Sequence, residues 1–303
     1  MFQSAYAVAS QFTKPVVISR KNINGDCSSG IGAFIVVNDD GWILTAHHIV
    51  DWWVKLQAGA KKTREHGVEE ARIRAEFASD QKNRKKQLSK LGHLDKDATD
   101  RCSVWWGVNT GPPVRVPKFF SLPAADIAIG KLDPFDKSWI STYPTFKDPG
   151  KNFLPGKSLC KLGFPFHQIT PTWDSAKDGF VLPVGALPLP FFPIEGILTR
   201  FADARIVGAP TSPPFPIRFV ETSSPGLKGQ SGGPIFDVDG TIWAMQSRTH
   251  PLSLGFDPLV PTGKPGQIGQ KEHQFLNVGL GTHVDTILNF FKVHGVAAKV
   301  SES

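Results

Sequence analysis

The sequence predicts an all-β protein, two packed barrels or sandwiches, with a charged helical insertion and a C-terminal helix. Three observations carry that expectation. Short apolar runs bounded by turn residues recur along most of the 303 residues. Glycine and proline are plentiful, at 29 and 25 residues, which suits many turns and short strands better than helices. One segment breaks the style. Lys55 to Arg101 lacks proline and holds 13 Lys/Arg against 8 Asp/Glu, a net +5 of the chain's +7. With 40% hydrophobic residues the chain can bury a large core, as one large or two small domains.

The elements follow in order. Gln3–Phe12 fits a short amphipathic helix, and "KPVVISR" a strand. "GIGAFIVVNDDGWIL" reads as two strands joined at Asn38-Asp39-Asp40-Gly41, a hairpin signal between apolar runs. The charged segment, about 55–101, reads as one or two exposed helices, its run "KNRKK" as a solvated face. Strands resume after "CSVWWGV" with "VRVPKFF" and "ADIAIGKL", then "SLCKLGF" and "GILTRFA". The proline-rich "GALPLPFFP" cannot be a central strand and reads as a loop near a pocket or interface. "IRFVETS" and "TIWAMQS" flank a serine turn, Asp237-Val238-Asp239-Gly240 is another hairpin turn, and "LNVGLGTH" is the last strand. Val284, Ile287, Leu288 and Phe291 keep helical spacing up to Gly295.

Several function classes lose support. No apolar run approaches the ~20 residues of a membrane span, so no membrane partner is expected. "MFQSAYAVASQF" has no basic start and no signal-like core, which points to a cytoplasmic protein. Cys27, Cys102 and Cys160 lie far apart, with no metal spacing, and read as thiols in a reducing compartment. The nine histidines include no H-E-x-x-H, so neither metal nor other cofactor is expected.

"GLKGQSGGPIF", Gly226 to Phe236, crowds small residues around Ser231. A loop needing positive φ would use such glycines, and so would a nucleophile whose backbone must close on a substrate carbonyl. A base is available in "TAHHIV", His47 and His48, directly after an apolar strand. An acid is available in Asp126, which the pattern places inside an apolar strand, a costly position unless hydrogen-bonded. The order His, Asp, Ser is one in which such triads are built on β-barrels. "GQSGG" also fits the nucleophile elbow of α/β-hydrolases. That reading needs Asp257 or Asp285, a later His273, His283 or His294, and alternating strands and helices upstream.

At these residues the sequence resembles the chymotrypsin-fold serine proteases, specifically the bacterial HtrA/Deg-like branch. "SSGIGAFIVVNDDGWILTAHHIV" is similar to that family's first strand pair running into Thr-x-x-His, which implies His48 as the base and Thr45 as its companion. "ADIAIGKL" resembles the strand carrying the family's aspartate, here Asp126, and "LGFPF" its Gly-x-Pro-Phe segment. "IRFVETSSPGLKGQSGGPIFDVDGTIWAMQS" resembles the nucleophile hairpin nearly end to end. The resemblance covers roughly 15–54 and 103–292 and implies two packed six-stranded β-barrels, divided as 1–140 with His48 and Asp126 and 141–303 with Ser231. It implies an oxyanion hole from Gly229 and Ser231, Ser247 near the buried aspartate, and Pro225 at the base of the primary pocket. An uncharged Pro225 does not favour Lys or Arg there; a small or medium apolar side chain is expected. The implied activity is peptide-bond hydrolysis on protein or peptide substrates without a cofactor.

There are departures. Gln230 stands where secreted relatives carry an aspartate that pairs with a new N-terminus, so activation by trimming is not expected. Ile49 replaces the cysteine of the family's disulfide beside the histidine. No PDZ module is expected after the last helix. The basic insertion and the long loop after Ser247 border the expected cleft and leave room for a regulatory protein partner, whereas nucleic acid is not expected. A catalytically silent binding module is the alternative reading.

Overall fold

The first apolar runs pair in sequence order. β1 (Thr13–Asn22), β2 (Cys27–Val36) and β3 (Trp42–Ala46) form consecutive antiparallel ladders. The expected turn between β2 and β3 forms because Gly41 takes φ +81° and the Asn38 side-chain oxygen accepts from the Asp40 and Trp42 amides. β4 (Thr99–Trp106) returns along the free edge of β1, while β5 (Phe119–Leu122) and β6 (Ile127–Lys131) extend the other side. The six strands run β4-β1-β2-β3-β6-β5. The computed structural model describes residues 1–109, 111, 113–203, 215–260 and 270–302.

The second half repeats the number but closes. The strands of its ring are β7 (Ser158–Lys161), β8 (Ile194–Asp203), β9 (Arg218–Thr222), β10 (Pro234–Phe236), β11 (Ile242–Ser253) and β12 (Phe275–His283), and the two-residue strands Thr145–Phe146 and Lys299–Val300 extend the same sheet beyond β11 in parallel. The ring strands run β10-β7-β8-β9-β12-β11, and β11 pairs with β10 as well, so the ladder returns on itself. Among the described residues no ladder joins β4 to β5, so the first six strands form a half-barrel beside the closed one. The ladders of both six-strand sets are antiparallel, which rules out the doubly wound α/β fold that the nucleophile-elbow reading required.

One apolar core runs through both halves, from Val16, Phe34 and Leu44 to Phe236, Ile242 and Met245. The ends of the chain strap across it. In α1 (Gln3–Phe12) Tyr6 sets its ring edge-on to Phe191, and the preceding Phe2 does the same to Phe236. At the other end, His294 after the last helix lies against Phe120 of β5, with ring centres 4.4 Å apart.

The insertion differs from expectation in where it starts. α2 runs His47–Glu76, beginning at the end of β3 rather than at Lys55, and α3 covers Gln81–Leu91. Nothing between Ala46 and Lys55 stops a helix, so the turn that leaves β3 continues into the charged segment. A sparse stripe of Ile49, Val50, Leu56, Ala60 and Ile73 buries one face of α2. Its outer face carries Arg72 paired with Glu69 and Glu76, and Arg74 paired with Glu70, at helical spacing. α3 buries no residue, consistent with the solvated reading of "KNRKK". α4 (Val284–Val293) ends ahead of Gly295, which takes φ +67°. No helix among the described residues is long and apolar enough to cross a membrane. Of the long loop after Ser247, β11 extends as far as Ser253, and residues 261–269 lie outside the described residues.

Candidate active site

The site assembles where the two halves meet. Asp126 sits one residue before β6, in a left-handed conformation with φ +51°, rather than inside the strand as its apolar neighbours suggested. That turn aims its carboxylate at the start of α2. The backbone amide of His48 donates to Oδ1 at 3.0 Å, and the His48 ring nitrogen Nδ1 lies 2.9 Å from Oδ2. From the other half, the Ser247 hydroxyl donates to Oδ2 at 2.5 Å. Burial pushes the Asp126 carboxyl upward, but the His48 ring, the Ser247 hydroxyl and the His48 amide more than offset it and hold it below the usual carboxylate range. An ionised Asp126 also satisfies an orphan amide in the first turn of α2.

His48 is half exposed at 50%, Asp126 largely covered at 11%. The pair therefore has a dry side toward the carboxylate and an open side toward solvent. His47 reaches Asp126 through its backbone amide, which donates to the backbone O of Asp126 at 3.1 Å; among the described residues its buried Nδ1 has no hydrogen-bond partner. Thr45 donates its hydroxyl to Ala33 O at 2.8 Å and so holds β3 to β2 behind the histidine.

The serine turn needs its glycines. Gly229 takes φ +101°, and a Cβ there would lie 2.4 Å from Phe164 O. Gly232 takes φ +84°, and a Cβ would lie 2.1 Å from Ala33 O. This close approach lets the Ala33 amide donate to Ser231 O at 2.8 Å, a bond from β2 to the serine turn. Gln230 is fully buried. Its amide oxygen accepts from Leu227 N at 3.0 Å and its amide nitrogen donates to Phe192 O at 3.2 Å. A neutral side chain thus ties the turn internally where an aspartate would have needed a cationic partner. Among the described residues the amides of Gly229 and Ser231 have no intramolecular acceptor.

Ser231 and His48 line one cleft of about 560 Å³. The Ser231 hydroxyl donates to Ser247 O at 3.2 Å. A Cβ on Gly32 would be 2.5 Å from the Ile49 methyl, so Ile49, next to the histidine, packs directly on β2.

The sequence reading placed Pro225 at the base of a pocket and missed what lies under it. Lys161 is wholly buried, and its ammonium donates to Thr222 Oγ1, Ser224 O and Pro225 O at 3.1, 2.6 and 2.8 Å. Burial pushes it down to about 7. Gln246 lies against Gly226, where a Cβ would be 2.1 Å from its amide nitrogen. The Thr249 hydroxyl donates to Gly226 O. Lys161, Gln246 and Thr249 thus hold the Thr222–Gly226 segment that leads to Ser231. A lysine in the apolar run "SLCKLGF" was the one signal in the sequence for this arrangement.

A family model described as a trypsin-like peptidase domain matches residues 30–245, well over half of the chain, including His48, Asp126 and Ser231. Among solved structures the chain is similar to the HtrA-type protease AlgW with tripeptide, in two structures, at 12% identity and TM-score 0.46. The match covers 98% of this chain and 65% of that one, so the chain spans just under two thirds of that relative's length. It is also similar to the Rv3671c protease from M. tuberculosis, active form, at 12% identity and TM-score 0.48, covering 98% of this chain and 86% of that one. No curated protein matches the sequence.

Proposed function

The chain belongs to the family of trypsin-like peptidase domains, and we propose that it is a serine endopeptidase working through Ser231, His48 and Asp126 by way of an acyl-enzyme. The observation that carries the reading is the shared carboxylate. Asp126 holds the Nδ1 side of the His48 ring, which leaves Nε2 facing the cleft that Ser231 also lines. In that tautomer Nε2 is the acceptor a serine hydroxyl needs. The Ser231 hydroxyl rotates from Ser247 O to His48, gives up its proton and attacks the scissile carbonyl. The free amides of Gly229 and Ser231 receive the developing oxyanion, a contribution of about 3 kcal/mol per donor in sites of this kind. His48 then protonates the leaving amine, and water completes the cycle by the reverse roles. Asp126 stays ionised and stabilises the imidazolium that forms on His48.

Substrates on this reading are proteins or peptides. The long helix that begins at His47 also gives the site a handle. A protein partner gripping the basic α2–α3 arm would act on the element that carries the base. Labelling with a fluorophosphonate tests the core of the proposal. The wild type should label, and both Ser231→Ala and His48→Ala should lose at least about 10³-fold in rate. Wild-type protein that stays unlabelled, alone and in cell lysate, would make the chain a silent binding module instead.

A further inference from the structure

The cleft at Ser231 is lopsided. On one side the Thr249 hydroxyl donates to Gly226 O and Gln246 packs against Gly226, and none of these three residues lines the cleft that Ser231 shares with His48. On the other side, two clefts of about 560 and 580 Å³ meet along Ser28–Ile31 and share Lys228 and Gly229. The leaving amine must come within reach of His48, so the side that runs from His48 past Ile49 and Trp52 is the one that receives the chain after the cleaved bond.

That side is built for contact. Gly30 and Gly32 let Trp52 and Ile49 press directly on β2; a Cβ at either glycine would be 2.5 Å from the neighbouring side chain. With Ile18 and Ile31 they make an apolar floor. Arg20 and Lys228 stand at its rim, neither forms an ion pair among the described residues, and no Asp or Glu lines either cleft. The Arg20 side chain donates to a neutral partner, the Ser28 hydroxyl, at 3.3 Å.

We propose that this protein selects its substrates mainly by the residues after the scissile bond, taking a large apolar side chain on the Trp52–Ile49 floor and an acidic side chain at Arg20 and Lys228. This rests on the peptidase reading above and names the substrate class of that same site. The rim charges are solvent-facing, so their effect is modest for one pair and screened by salt; two cations acting on one carboxylate give a usable preference.

The test separates binding from chemistry. Fluorescent peptides with alanine before the bond and Leu-Glu, Leu-Lys or Gly-Lys after it are titrated against the Ser231→Ala chain, and their cleavage is followed with the wild type. The Leu-Glu peptide should bind and be cleaved about fivefold or more better than Leu-Lys at low salt, and the gap should shrink at high salt. In the double variant Arg20→Glu, Lys228→Glu the Glu/Lys ratio should invert, a readout internal to whatever folded protein is obtained. Equal binding of the three peptides to the unaltered rim, with no salt dependence, overturns the proposal. If Ser231 takes the fluorophosphonate but the peptides are treated alike, the peptidase reading survives and this one fails. If the Ser231→Ala chain discriminates the peptides while the wild type refuses the label, recognition stands and the catalytic reading fails.

Discussion

At Lys161 the site depends on a charge that the molecule hides completely. The ammonium has no exposed surface, and its three acceptors, two of them carbonyls of the segment leading to Ser231, are what make the burial tolerable. Its folded value of about 7 lies below the ordinary 10.5. Below pH 7 both folded and unfolded chains hold the proton, and the cost of burying the charge is fully present. Between pH 7 and about 10.5 the unfolded chain still holds it while the folded chain has released it, so stability rises with pH across that window. In Lys161→Met this rise should vanish. Melting temperatures of both proteins from pH 6 to pH 10 should show wild type gaining on the variant as pH increases; parallel curves would mean that Lys161 titrates normally. Burial of this kind is hardly visible in a sequence. Ser231 and His48 stand out because glycines and a strand end mark them, whereas Lys161 is one polar residue in "SLCKLGF", and only the fold says which way it points.

At the scale of elements, the charged insertion divides into a part the fold holds and a part it does not. α2 is anchored by Leu56, Ala60 and Ile73, whereas α3 buries nothing and is held at its ends, one of them by a hydrogen bond from His66 of α2 to Gly92 O at 3.1 Å. Asp80 caps α3, its carboxylate accepting from Asn83 N at 3.0 Å, and Gly92 follows its last turn with φ +80°. An isolated helix of 11 residues is marginal, so losing a cap worth about 1 kcal/mol should melt it. Hydrogen exchange on Asp80→Ala should show protection lost across Gln81–Leu91 and kept in α2. Unchanged protection would mean that packing rather than capping holds α3. The apolar and charged patterning made both helices legible, but not their start. The turn after β3 and the insertion are one helix because no residue interrupts them, and a reading by composition alone divides them where the charge begins.

At the scale of the whole molecule, the proposed machinery is split between halves that must register. Among the described residues three hydrogen bonds tie them near the site: Ala33 N to Ser231 O, Ser247 Oγ to Asp126 Oδ2, and Thr282 Oγ1 to Ala125 O at 2.6 Å. The last is buried and touches no proposed reacting group. Thr282→Val keeps the shape and leaves Ala125 O without its donor, which should cost roughly 1–2 kcal/mol of stability. It should lower kcat more than it alters KM, because the aspartate turn next to Ala125 loosens relative to Ser231. Calorimetry and peptide kinetics on the variant check both parts, and a pure KM effect would place the role of Thr282 in substrate binding.

The strand-rich architecture, the hairpin turns at Asn38–Gly41 and Asp237–Gly240, the last helix, the glycine-flanked Ser231, Asp126 and the pair His47 and His48 were legible in the sequence, and the resemblance to the protease family singled out His48 from that pair. All but that last choice are written in local signals, such as glycine placement, apolar spacing and order along the chain. Only the tertiary structure decided that the second ring closes while the first stays open, and that Gln230 ties the serine turn without a charged partner. It also decided that Lys161, Gln246 and Thr249 hold the segment leading to Ser231, while an open cleft lies on the His48 side. The physical reason is range. A turn or helix depends on neighbours within a few residues, whereas the filling of a cleft depends on side chains that meet only after distant strands have paired.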